Sequence, residues 1–196
     1  MDRVVDYEVE FESLKSLLLD MAQERSLNAL LSLVVQRLAE RPHVALVRIW
    51  LIRPGDICAS CPMSLECPDQ TACLHLVASA GRSTADPSQD WSYVQGRFRR
   101  FPLGVRKVGQ IARNGESIVV REIDEDRHWI ARPEWAQQEG IRGFEGQPIT
   151  YKGEVLGVLG VFSRVQITQE EPVWLRIIAD HAGAAIANAR AFEEIE

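Results

Sequence analysis

The stretch Gly143–Ser163, GFEGQPITYKGEVLGVLGVFS, decides how the chain is read. It divides into two extended runs joined by a tight turn. In Phe144 to Tyr151, apolar residues lead to a proline, and Ile149 and Tyr151 then alternate with Thr150. Lys152-Gly153-Glu154 supplies the turn, with Gly153 free to take a positive φ. Val155 to Phe162 is almost wholly apolar, the pattern of a strand covered on both faces. Gly157 and Gly160 leave room for a close approach, by a packed helix or a ligand. The hairpin therefore predicts a sheet with helices against one face and pocket-enclosing loops against the other.

Downstream, Thr168-Gln169-Glu170-Glu171 reads as a capping box, with Pro172 tolerated in the first turn of a helix. That helix runs on through Leu175, Ile178, Ala182, Ala185, Ala189 and Phe192 at spacings of three and four. At the other end of the chain, Tyr7, Phe11, Leu14, Leu18 and Met21 form a similar seam. Ser26 caps a second helix whose face is Leu27, Leu30, Leu31, Val34, Val35 and Leu38. His43 to Ile52 reads as a strand with both faces largely apolar, Leu74 to Ala80 as a second, and Ser117 to Ile123 as a third. Trp91 to Phe101 reads as a short strand or an ordered loop. Short helices are expected over Val105–Arg113, ending at Asn114-Gly115, and over Pro133–Glu139. Asp124 to Arg132 reads as a charged loop holding His128 and Trp129.

The 196 residues suffice for one domain with one or two extra helices. No apolar run is long enough to span a bilayer, and the acidic start lacks a signal-peptide core, so a cytoplasmic location is expected. A net charge of −6 argues against nucleic acid as a partner of the chain as a whole.

All four cysteines fall within a short loop, Cys58, Cys61, Cys67 and Cys73, in a C-x2-C-x5-C-x5-C pattern. In a reducing compartment such a cluster points to metal or redox chemistry before disulfides. Two thiolates from a C-x2-C pair and two more complete a tetrahedral site, so the expected cofactor is zinc or an iron–sulfur cluster. His75 is a substitute fourth ligand. The competing readings are thiol redox chemistry without a metal, and four reduced thiols with no role.

Several segments together resemble the GAF domain, a small sensory module of signalling proteins. They are RIWLI (Arg48–Ile52), FPLGVRKVGQIARNGESIVV (Phe101–Val120), the central hairpin, and ITQEEPVWLRIIADHAGAAIANARAFEE (Ile167–Glu194). The resemblance spans roughly Leu27 to Phe192. It implies an α+β fold with a GAF/PAS-like antiparallel sheet of about six strands. The N- and C-terminal helices would share one face, and pocket loops the other. It also implies regulation rather than catalysis, hence a non-enzyme. The Asn-Lys…Phe…Asp-Glu pattern of cyclic-nucleotide-binding members does not fit this chain. Cys73 and His75 are separated by Leu74, which argues against the Cys-His anchor of bilin-binding members.

On that fold, Trp91, Tyr93, Phe98, Trp129, Trp135 and Phe144 fall on the pocket side, either lining a cavity for a small molecule or packing on one another. Between Asp90 and Glu116 there are no acids but six cations: Arg97, Arg99, Arg100, Arg106, Lys107 and Arg113. With the free N–H groups of a helix starting near Val105, they could hold an anion. The plainer reading is a solvated face paired with Asp124, Glu125 and Asp126. Arg100 and Val105 join the candidate ligand-binding residues on this ground.

The organisation expected is a signalling and dimerisation helix over 1–25 and a GAF-like sensor over 26–192 with a four-cysteine insertion at 56–73. The start of a linker to an output domain follows at 193–196. Homodimerisation through the terminal helices is expected, with an output such as a histidine kinase or a transcription activator. The alternatives are a zinc-stapled dimerisation module without ligand, and a cysteine-dependent free methionine sulfoxide reductase.

Overall fold

The computed structural model describes residues 2–123 and 131–193. The elements in chain order are α1 (Asp2–Gln23), α2 (Leu27–Ala39), β1 (Val44–Pro54), β2 (Ala72–Gly81), β3 (Arg100–Pro102), α3 (Arg106–Asn114), β4 (Ile118–Val120), α4 (Pro133–Gln138), β5 (Gly143–Tyr151), β6 (Glu154–Ser163) and α5 (Glu171–Glu193). The strands form one sheet in the order β3-β2-β1-β6-β5-β4, every neighbouring pair antiparallel. The expected α+β architecture with six strands is present, and the hairpin lies inside the sheet. Its turn places two residues in the left-handed region, Lys152 at φ 49° and Gly153 at φ 83°. That is the geometry whose twist matches a two-residue hairpin.

Alternation along β1 assigns the two faces. Val47, Ile49 and Leu51 join α1, α2 and α5 in one core, with Leu31, Val34, Ile149, Leu159 and Ile186. Leu46, Arg48 and Trp50 point to the opposite side, where α3, α4 and the loops lie. The terminal helices therefore cover one face together. α2 lies on β1 and β2, α5 lies on β5, and α1 packs across both helices. In α1 the buried positions are Leu14, Leu17 and Met21; Leu18 is half-buried and Phe11 is exposed. The inward stripe is thus rotated from the expected seam. The Tyr7 and Phe192 side chains, at the outer ends of the two expected seams, lie outside what is described.

Both caps form. Ser26 Oγ accepts from the Ala29 N–H at 3.4 Å. The Thr168 N–H donates to Glu171 Oε2 at 2.7 Å, and the Glu171 N–H donates back to Thr168 Oγ1 at 3.4 Å. α5 approaches the sheet closely at Gly183, where a β-carbon would collide with the carbonyl of Thr150. Gly157 and Gly160 serve packing: a β-carbon would strike the Trp50 carbonyl at the first and meet the Trp50 and Phe144 rings at the second.

Three boundaries differ from the sequence reading. β2 begins at Ala72, because Arg53 and Pro54 extend the ladder opposite Cys73 and Ala72, so Cys73 is a strand residue. Of the Trp91–Phe101 segment only Arg100 and Phe101 are strand, continued by Pro102, and Ser117–Ile123 shortens to Ile118–Val120. Both are edge strands, each paired with a single neighbour over three residues.

Candidate functional site

Between the open sheet face and the α3/α4 side lies a cavity of about 460 Å³. β1 contributes Arg48 and Trp50, β5 Phe144, and β6 Phe162; α3 contributes Arg106, Lys107 and Val108, and α4 contributes Trp135, Gln138 and Glu139. Trp91, Phe98 and Phe101 close it from the segment before α3. Its aromatic wall is continuous. Trp91 meets Trp135 at 5.6 Å between ring centroids, Trp135 meets Phe162 edge-on at 5.6 Å, and Phe162 meets Phe144 at 5.0 Å. Trp50 is oriented by its indole N–H, which donates to the Phe98 carbonyl at 3.1 Å.

Cations outnumber acids in the described wall: Arg48, Arg106, Lys107 and Arg132 against Asp86 and Glu139. Burial, and then the nearby positive charge of Arg132, lower the Arg48 pKa to about 10, so it remains a cation at neutral pH. Lys107 is buried, with its ammonium 5.8 Å from the centroid of the Phe144 ring. Burial opposes ionisation of Glu139, but hydrogen bonds from Ser83 and from the Thr84 and Ala85 backbone outweigh it and hold the carboxyl below its ordinary range. Arg164 completes that network at 3.4 Å.

Of the residues expected at a ligand site, Trp91, Phe98, Trp135 and Phe144 line the cavity. Tyr93 is 60% exposed and outside the wall. Val105 is the residue before the first turn of α3 and is likewise outside it. Trp129, with His128, lies outside the described residues. Arg100 faces the cysteine loop instead, donating to Asp56 through Nε at 2.8 Å and Nη2 at 2.6 Å. Arg106 does the same with Glu66, at 2.9 Å through both nitrogens. The basic segment thus ties down the cysteine loop; the acids expected to pair with it, Asp124, Glu125 and Asp126, lie outside the described residues. Sequence reasoning missed Arg48 and Trp50. The available signal was a single cation two residues before a tryptophan in an otherwise apolar strand.

The cysteine loop makes a second, smaller cavity of about 20 Å³, lined by Cys58, Cys61, Cys67 and Cys73 together with Asp56 and Arg100. All four thiols are free, and none lines the large cavity. Burial, with help from the Asp56 charge and the neighbouring thiols and against Arg100, pushes Cys73 up to about 11. Asp56 is held well below the usual carboxylate range by its hydrogen bond from Arg100. His75 turns its Nε2 to the Pro54 carbonyl at 3.0 Å, and burial lowers its pKa. Phe101 belongs to both cavities.

A family model described as "GAF domain" matches residues 26–186. The chain belongs to the GAF domain family. Among curated proteins no relative matches. Solved structures with the same fold include the GAF domain of a phosphoenolpyruvate-protein phosphotransferase from Coxiella burnetii. It is 22% identical, with 94% of this chain and 96% of that chain covered and a TM-score of 0.69. The corresponding domain from Acinetobacter is 19% identical over 93% and 95%, with a TM-score of 0.67. A free methionine-R-sulfoxide reductase from Neisseria meningitidis, in complex with its substrate, is 19% identical over 92% and 89%, with a TM-score of 0.64. At these identities the likeness is one of fold. The reductase corrects the expectation of a non-enzyme, because an enzyme shares this GAF fold. No described helix is long and apolar enough to cross a membrane.

Proposed function

We propose that this GAF domain is a sensory module whose large cavity takes a small molecule with a planar apolar body and an anionic group. The supporting observation is the placement of Arg48 and Arg132 in one aromatic-walled cavity, near enough for their charges to oppose each other. Two like charges held together are stabilised by a ligand that supplies the opposite one. The tilted and edge-on rings of the wall offer apolar surface to the remainder of the ligand. Binding would reset the packing of β5 and β6, and α5, which lies along β5, would carry that change to an output domain such as a histidine kinase or a transcription regulator. In this reading residues 1–25 serve signalling and dimerisation, and residues 26–192 serve sensing.

The test uses 8-anilinonaphthalene-1-sulfonate, an aromatic anion with a flat naphthalene body, against N-phenyl-1-naphthylamine, its neutral counterpart. The expected result is saturable binding of the anion with energy transfer from tryptophan. Arg48→Met should weaken it by about 10-fold or more, the effect of one charge-assisted hydrogen bond, and leave the neutral probe unchanged. Equal affinities for both probes, untouched by Arg48→Met in a variant with native circular dichroism, would refute the reading.

A further inference from the structure

The cysteine loop holds a second site, independent of the large cavity. Its ends are closed by the β1–β2 ladder and by the Gly55 N–H, which donates to the Thr71 carbonyl at 3.0 Å. Two single turns, Cys58–Ser60 and Ser64–Glu66, fold the intervening chain back on itself. Met63 anchors it, fully buried among Trp50, Leu74 and Phe101 in the second core. The bidentate pairs Arg100–Asp56 and Arg106–Glu66 pin it from outside. Gly55 admits the tight return: a β-carbon there would collide with the Gln70 carbonyl and press on Cys58 Sγ. Arg106, which holds Glu66, takes φ 51°, a conformation that costs a non-glycine residue about 1–2 kcal/mol. The ladder, the Met63 anchor and the two ion pairs thus hold the loop backbone, and it brings four thiols, from three loop positions and one strand, to one cavity.

We infer that this cavity is a tetrathiolate site for a single divalent zinc-type ion, ligated by Cys58, Cys61, Cys67 and Cys73. The enclosed space beside the thiols as they stand, about 20 Å³, is room for about one water-sized sphere, and a single ion needs no more. Chemistry favours a thiophilic tetrahedral ion, since the wall supplies four soft donors. As the side chains stand, no three His, Cys, Asp or Glu donors among the described residues are posed to hold an ion. The Cys58 thiol is turned to the Gln70 carbonyl at 3.6 Å and the Cys67 thiol to the Asp69 carbonyl at 3.1 Å. Metal binding would exchange these weak S–H···O contacts for metal–thiolate bonds. Binding releases the thiol protons to solvent, so apparent affinity rises with pH.

The test is titration of the reduced, chelator-treated full chain with Co2+, followed by displacement with Zn2+. The expected result is one ion per chain, a thiolate-to-cobalt charge-transfer band with tetrahedral d–d absorption, and loss of both when Zn2+ is added. Cys61→Ser and Cys73→Ser should lose the absorbance at stoichiometric metal. In case a variant fails to fold, the wild-type chain is also alkylated with and without Zn2+, and all four cysteines should be protected together. Absence of the charge-transfer band would overturn the site. So would unchanged alkylation of the four thiols, or a brown chromophore after anaerobic purification, which would mean an iron–sulfur cluster.

Discussion

Glu145→Gln should stabilise the domain at neutral pH and flatten its pH dependence. Glu145 lies on the helix-facing side of β5, 3% exposed, with Gln147 Nε2 donating to its Oε1 at 3.1 Å. Burial, with the negative charge of Glu171 adding to it, pushes its pKa from 4.5 up to about 7, against the Gln147 hydrogen bond and the more distant Arg121. Glu171 stays ionised because the His43 ring at 3.0 Å and the Thr168 N–H both stabilise its carboxylate. The folded chain therefore keeps a proton on Glu145 that the unfolded chain releases between pH 4.5 and about 7. Stability from this group is intact below pH 4.5 and is lost as pH rises through that window. Each pH unit corresponds to about 1.4 kcal/mol, so the full loss is about 3 kcal/mol at most. Glutamine keeps the acceptor for Gln147 and removes the titration. Thermal melts of both proteins from pH 4.5 to 8, followed by circular dichroism, read the difference. The variant should gain roughly 6–12 °C over wild type at pH 8, at about 2–4 °C per kcal/mol, and little at pH 4.5. A difference in melting temperature that stays constant with pH would refute this account of Glu145.

Two further outcomes are expected. Gly183→Ala should destabilise by about 1–3 kcal/mol, because the added carbon meets the rigid Thr150 backbone and this outweighs the gain in helix propensity of about 1 kcal/mol; urea unfolding measures it, and a stabilised variant would contradict the close approach. Homodimerisation through α1 and α5 is proposed on the exposed Phe11 (49%) and Leu19 (55%), the former edge-on to Trp174. Light scattering at low concentration should give twice the chain mass, and a clean monomer would refute it.

The parts of this fold legible in the sequence are those settled by neighbours in the chain. The Lys152-Gly153 turn, the Ser26 cap and the Thr168–Glu171 box each involve residues no more than three apart, and all form. The bonds from Arg100 to Asp56 and from Arg106 to Glu66 cross 44 and 40 residues, and no local pattern announces them. The aromatic wall was legible in part, since Trp91, Phe98, Trp135 and Phe144 stood out as large residues near loops. Arg48 and Phe162 were hidden inside runs that read as core strand. Their side chains reach the cavity because a central strand has two faces, and only one of them is covered by helices. The sequence pattern puts Cys73 at the end of the cysteine loop, whereas its place in β2 is set by the ladder with Arg53, twenty residues away.

The near-contact of Gly183 with Thr150 sits close to the middle of α5. About 18 Å of helix lies on the Glu171 side of that point and about 15 Å on the Glu193 side, at 1.5 Å per residue. With no side chain between the two backbones, α5 bears on the sheet there as a beam bears on a fulcrum. A sideways displacement of the Glu171 end, where Gln147 Nε2 donates to the Pro172 carbonyl at 3.4 Å, would reappear at the Glu193 end with opposite sign and nearly undiminished amplitude.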